Sequence, residues 1–398
     1  MPLPTLANAP SATSILPTPE RQHVRIGYVA LIDSAPFIVA HQMGFDQRHG
    51  LTLELCKQPS WAAIRDKLLS GELDAAQTLY GLVYGVEIGL GGPQADMAIL
   101  MTLNRNGQAI TVSNSLAAQL KQGQSLATAL HRLGRKPVFA QTFPTGTHAM
   151  WLNYWLAANH VHPLNDIDSV VIPPPQMPEA LAHGELDGFC AGEPWHAVVE
   201  DQQTGHTIIR SSEIWPHHPE KALACRREFA ALYPHTAKAL IRTMLDACQW
   251  IADHENKQQL SAWLAQAEYL HLPQALIYSR LVSPALSDES HWSIPQGKTH
   301  ASLPINFYTD TSTNYPNPTD GLWFLSQFHR WGLVASSPAW ESIARQVCQT
   351  TLYHEAVQEL GLTITSPTLT PVQLIDGRIW DGEDAVRYAT TFDINARK

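Results

Sequence analysis

Short apolar runs alternating with segments of helical period recur along the first 225 residues, and nothing else constrains the fold as much. Runs at 24–28 (VRIGY), 51–56 (LTLELC), 73–78, 97–103 and 109–112 read as strands. Residues 35–43, the WAAIRDKLLSG segment with Ser60 as its N-cap, and the Gly-studded stretch 81–90 read as helices. Strands linked by helices of that length predict a parallel sheet with crossover helices. The pattern then restarts, with strands at 130–140, 169–172 and 220–225 and helices at 151–159 and 178–183. LLSGELDAAQ and LAHGELDGFC share a Gly-Glu-Leu-Asp core, starting at Gly71 and Gly184, each between a helix and a strand. The echo predicts two similar α/β lobes.

Residues 1–23 read as a disordered leader, 24–112 as the first part of lobe 1, 113–225 as lobe 2, and 226–398 as the return to lobe 1. That return holds helical stretches at 237–251, 258–267, 273–281, 321–331 and 339–360, and ends in a Thr/Pro-rich tail. Residues 283–320 lack periodicity, which predicts a lid, an interface or an ordered loop. The leader has prolines at 2, 4, 10, 17 and 19, no basic start and no apolar core, so it does not read as a signal peptide. With no apolar run of about 18 residues there is no membrane span to expect, and a cytoplasmic location follows. A net charge of −10 excludes a nucleic-acid-binding surface and obliges any anionic ligand to find a local positive group. Five scattered cysteines read as free thiols, and the histidines show no metal-ligand spacing, so neither a metal nor a cofactor is expected.

The stretch 139–151, FAQTFPTGTHAMW, reads as strand, turn and helix start, with Thr147 as a possible N-cap and His148 in the first turn. Free amides and the positive end of a helix make such a turn a seat for a small anion. Ligands of open α/β sheets bind beyond the carboxyl ends of strands. Trp61, Gln108, His148 and Gly192 all fall at such positions, and Lys221 opens the KALAC strand. Together they offer an indole N–H, an amide, an imidazole N–H, a backbone N–H and one ammonium, a set suited to a planar monovalent oxyanion. Four of them have a plainer reading taken singly: a packed indole, a turn amide, a core histidine and a solvated lysine. Glu193 and His196 invite an acid–base role, but no nucleophile, zinc-protease or P-loop motif accompanies them.

On SWAAIRDKLLSGELDAAQTLYGLVYG, GGPQADMAILMTLNRNGQAIT, FAQTFPTGTHAMWLNYWLA, PPPQMPEAL, DGFCAGEPW and IWPHHPEKALA the chain resembles the nitrate-binding proteins of nitrate ABC transporters. INFYTDTSTNYPNPTDGLWFLSQFHRWG carries the likeness onward, to about residue 362. The resemblance implies an α/β, two-lobed periplasmic-binding-protein-like fold (type II), each lobe a mainly parallel sheet flanked by helices, with the ligand cleft between lobes. It implies that Trp61, Gln108, His148, Gly192 and Lys221 line a nitrate or nitrite site, and the retained lysine favours nitrate over bicarbonate. Exported members carry a signal sequence. Its absence here makes the chain most similar to the cytoplasmic, NasS-like nitrate/nitrite sensors, which hold an ANTAR-type RNA-binding antiterminator inactive until the anion arrives. The alternative is the substrate-binding subunit of a nitrate/nitrite transporter. An enzyme resembling the thiamine-pyrimidine synthases would need a clustered cysteine motif, which this chain lacks, so no enzymatic activity is expected.

Overall fold

The computed structural model describes residues 16–282, 302–337, 339–365 and 370–396. Ten strands make two five-stranded sheets. β1 (His23–Val29), β2 (Thr52–Gln58), β3 (Ala75–Leu79), β4 (Met97–Arg105) and β10 (Pro219–Arg226) form the first, in the order β2-β1-β3-β10-β4. β5 (Gln108–Ser113), β6 (Val138–Gln141), β7 (Asp168–Val171), β8 (Gly188–Gly192) and β9 (Gly205–Arg210) form the second, in the order β7-β6-β8-β5-β9. Helices connect the parallel strands, giving the two-lobed α/β architecture that the resemblance implies.

Each sheet contains one reversed strand. β10 runs antiparallel to β3 and β4, and β5 antiparallel to β8 and β9. Both reversed strands follow a crossing of the chain from one lobe to the other, so the ranges 24–112 and 113–225 each surrender a strand. Residues 108–113 pair in the second sheet and 219–226 in the first. The reversal has a geometric consequence: a reversed strand starts where its parallel neighbours end. Gln108 stands opposite Gly192, and Lys221 opposite Leu79. Four side-by-side strand ends therefore meet between the lobes.

The Gly-Glu-Leu-Asp echo is one device built twice. Gly71 (φ +78°) closes the helix Trp61–Ser70, and Gly184 (φ +74°) follows the helix Met177–Ala182, each in the left-handed conformation that glycine tolerates. Leu73 and Leu186 are buried. Asp74 accepts from the Arg25 backbone N–H of β1 at 2.9 Å, and Asp187 from the Val138 N–H of β6 at 2.8 Å. Each carboxylate also holds an arginine, Arg25 in one lobe and Arg135 in the other.

Several expected elements differ. Residues 130–140 are not one strand: the helix Leu126–His131, capped by Ser125, ends there, and only Val138–Gln141 pairs. β9 has no counterpart in the sequence reading. Residues 339–360 break at Cys348, whose backbone bridges to Ile99, into the helices Trp340–Val347 and Thr350–Glu359. Of the expected leader, 1–15 lie outside the described residues. Residues 20–21 are fastened, because the Glu20 carboxylate accepts the first amides of the helix Pro234–Ala252, His235 at 3.0 Å and Thr236 at 2.8 Å. Of the segment 283–320, residues 283–301 lie outside the described residues. The rest is tied to lobe 1 by Arg105 and Asn306, which exchange backbone bonds, and by the Asn314 amide on the Thr102 carbonyl. The tail forms a hairpin (Val372–Gln373 with Ile379–Trp380) and a short helix, Ala385–Ala389, that packs on the helix Pro318–Arg330.

The lobes also meet through an aromatic cluster. Trp151 and Trp215 of the second lie 4.9 and 5.1 Å from Trp323 of the helix Pro318–Arg330. All five cysteines are free thiols, four of them buried. Among the described residues no helix is long and apolar enough to cross a membrane.

Candidate functional site

At the junction of the strand ends, Lys221 sits at the start of β10 with its side chain wholly buried. Its ammonium lies 2.9 Å from Asp33 Oδ2 and 2.9 Å from Glu220 Oε1. An ammonium has three donors, so two meet carboxylates and one remains. The expected picture of a lone cation among neutral donors is thereby corrected: two acidic groups share the site. Asp33 follows β1 in the turn Leu31–Ser34, and the Gln77 amide of β3 also donates to it. Gln77 is itself fixed, accepting from the Val29 backbone N–H at 3.0 Å. Glu220 accepts from the Thr147 hydroxyl and from Trp151 Nε1 at 3.0 Å.

The second lobe supplies neutral groups. Gln108 donates from Nε2 to Asp33 Oδ2 at 3.4 Å, while its Oε1 lies 2.6 Å from His148 Nε2. His148 Nδ1 lies 2.6 Å from Thr142 Oγ1. Burial, with Lys221 next in weight, holds the His148 imidazole well below its ordinary value, so it is neutral. An amide oxygen only accepts, which places the ring proton on Nε2 and leaves Nδ1 to accept from Thr142. Thr147 is not the N-cap of its helix. Gly146 is, and Thr147 is the first helical residue. Gly192 ends β8, where an added Cβ would come within 3.0 Å of Gln108 Oε1 and 3.3 Å of Asp33 Oδ2. Trp61 opens its helix behind Ser60, whose Oγ caps Ala63 N at 3.2 Å as expected. The indole is fully buried with its ring centroid 5.6 Å from Lys221 Nζ, and its N–H has no partner among the described residues.

All five sequence candidates therefore converge on one buried cluster drawn from both lobes. Burial pushes the Asp33 carboxyl up against the opposing pull of Lys221. Burial also works to lower the Lys221 ammonium, and Asp33 and Glu220 outweigh it, so it stays charged. Donors from three strands thus already surround one planar, monovalent oxyanion, the chain's own Asp33. A backbone bond from Ile32 N to the Glu193 carbonyl, 2.9 Å, ties the lobes together beside it.

Glu193 and His196 do different work. Glu193 pairs with Arg210 at 2.9 Å, and His196 spans Thr111 Oγ1 and the Ala191 carbonyl, both at 2.7 Å. These are structural contacts within the second lobe. Among the described residues no group of three metal-ligating side chains gathers. Sequence reading missed Asp33, Gln77 and Glu220, and of these only Glu220 carried a signal, as the neighbour of Lys221.

A model of the NMT1-like family matches residues 17–265. The chain is 34% identical to the nitrate import ATP-binding protein NrtC of Synechocystis over 94% of its own length. It is 33% identical, again over 94%, to the bicarbonate transport ATP-binding protein CmpC of Synechococcus elongatus. It spans only 56% of the length of each of these relatives. Among solved structures, the periplasmic nitrate-binding protein NrtA of Synechocystis superposes with a TM-score of 0.87 at 30% identity, covering 95% of this chain and all of that one.

Proposed function

The chain belongs to the NMT1-like family, and from that premise we propose that it captures nitrate or nitrite in the cleft between its lobes. One observation carries the reading: a buried ammonium and neutral donors from both sheets converge on a planar carboxylate, the shape and charge of the proposed ligand. Lys221 supplies the counter-charge through its third N–H. Gln108 supplies a directional amide donor that His148 orients through its Nε2–H on the amide oxygen, Trp61 its unpartnered indole N–H, and Gly192 the room for close approach. Each hydrogen bond to a charged ligand contributes about 1.5–3 kcal/mol. Because the ligand touches both lobes, it favours the arrangement in which they are closed.

The relatives' names support first the role of a substrate-binding component that hands the anion to a membrane transporter. A second reading is a cytoplasmic sensor whose closure releases an ANTAR-type RNA-binding antiterminator. Either partner, if it prefers the open form, must weaken anion affinity by the factor by which the anion weakens its own. Bicarbonate is the competing ligand, given the near-equal likeness to its transport protein, and the retained Lys221 supports nitrate.

Calorimetric titration with nitrate, nitrite and bicarbonate tests the ligand. Saturable heat with the first two is expected, and heat with bicarbonate alone would overturn the reading. Co-purification from the source cells, with and without nitrate, tests the role. A membrane permease in the eluate supports delivery, and an RNA-binding protein lost on adding nitrate supports the sensor.

A further inference from the structure

The helix Tyr80–Glu87 carries glycine at 81 and 85, four residues apart and so on one face. Alanine is the better helix former at either place. Neither glycine has a positive φ, so backbone freedom does not explain them. Space does. A Cβ on Gly81 would stand 2.1 Å from the Thr145 carbonyl oxygen, and one on Gly85 would stand 2.5 Å from Thr145 Oγ1 and 2.9 Å from Thr145 Cβ. Thr145 is buried, and its hydroxyl has no hydrogen-bond partner among the described residues. Shape, not bonding, seats it there.

The two sides of this contact belong to different lobes. The glycine helix follows β3 of the first sheet, whereas Thr145 lies in the turn between β6 and the helix Thr147–Ala158 of the second. That turn is closed by the Gly146 N–H on the Phe143 carbonyl at 2.8 Å. Immediately beside it stand Thr142, Thr147 and His148, which bond respectively to His148, Glu220 and Gln108. Where the turn sits thus decides where the second lobe's donors stand relative to Lys221.

We propose that Gly81 and Gly85 form a notch in the first lobe that the second lobe's turn must enter for the cleft to close on its anion. They are positioning residues for capture and touch no ligand. The inference rests on the anion reading above.

The test uses the full chain as Gly81→Ala, Gly85→Ala and the double variant Gly85→Ala/Thr145→Gly, titrated with nitrate by calorimetry and melted with and without nitrate. Both single variants should keep the wild-type circular dichroism spectrum and melt normally without nitrate. Their nitrate affinity should fall by roughly tenfold or more, as the closed population falls by that factor. The double variant, which trades the threonine side chain for the added methyl, should recover affinity. Single variants that bind as the wild type does would overturn the notch. So would a Gly85→Ala defect, in binding or in folding, that Thr145→Gly does not relieve. A wild type silent to nitrate and nitrite would instead bring down the anion reading itself, and the notch with it.

Discussion

The two lobes share a scaffold and divide the chemistry. Each has a sheet with a single reversed strand, and each locks a parallel pair through the same Gly-Glu-Leu-Asp device. At the cleft they differ. The first brings every charged group, Asp33, Glu220 and Lys221. The second brings Gln108, His148 and Gly192, all neutral. The charge cluster is therefore settled inside one lobe, where a movement of the other would not separate its members. The second lobe's Gln108 and His148 join the first lobe's own neutral groups, Gln77 and Trp61, around that cluster. Similar folds thus become unequal partners: one holds the charge, the other adds only neutral groups.

Removing the cation should break this division most severely. Lys221→Ala leaves Asp33 and Glu220 as neighbouring buried carboxylates, so unfolding free energy should fall by roughly 3–5 kcal/mol, read from urea midpoints. Nitrate binding should vanish from calorimetry, and a variant that still bound would end the asymmetry. Gln108→Ala or His148→Ala should each cost about 1.5–3 kcal/mol of nitrate affinity, roughly ten- to a hundredfold. Losses as complete as that of Lys221→Ala would make the lobes equal contributors.

Acid probes the neutral half. Burial holds His148 and His196 below the ordinary 6.5 and His218 down to about 3. Below about pH 6.5 the unfolded chain takes up protons that the folded chain refuses, so stability is full above that pH and falls as pH drops. The slope is about 1.4 kcal/mol per pH unit for each histidine that stays neutral. Urea midpoints at pH 7 and pH 5 check the sign, and a midpoint that rises on acidification would contradict it. The smallest effect sharpens the likeness rather than the difference: Asp74→Asn and Asp187→Asn should each destabilise by about 1 kcal/mol. A wide gap between them in thermal melts would mean the echo is not one device.

Much of this was legible in the residues themselves. Ser60 read as a cap because a hydroxyl before an apolar helical period has few better uses. The repeated Gly-Glu-Leu-Asp was visible because the same turn needs the same glycine and the same acid. The acids around Lys221 were not. Along a regular strand Glu220 points away from the face that Lys221 occupies. Here the ladder to β4 shifts register on both sides of Lys221, and consecutive residues bond to each other. Asp33 was hidden differently: an acid at the start of a helical stretch usually only complements the helix dipole. β9 went unread because its first residues, Gly205 and His206, weaken the apolar pattern. The boundaries slipped by one strand each because each sheet borrows its reversed strand from across a crossing, which no local pattern records.

Those crossings have a mechanical meaning. The chain passes between the halves through Asn106 and Gly107, and returns through the residues between Arg210 and Pro219. Two adjoining links leave a swing of one half about them as the simplest relative motion. Asn106 and Gly107 both hold left-handed backbones, at φ +59° and +92°, so the first link is short and sharply set. An anion that bridges the halves, as proposed, would act on that swing.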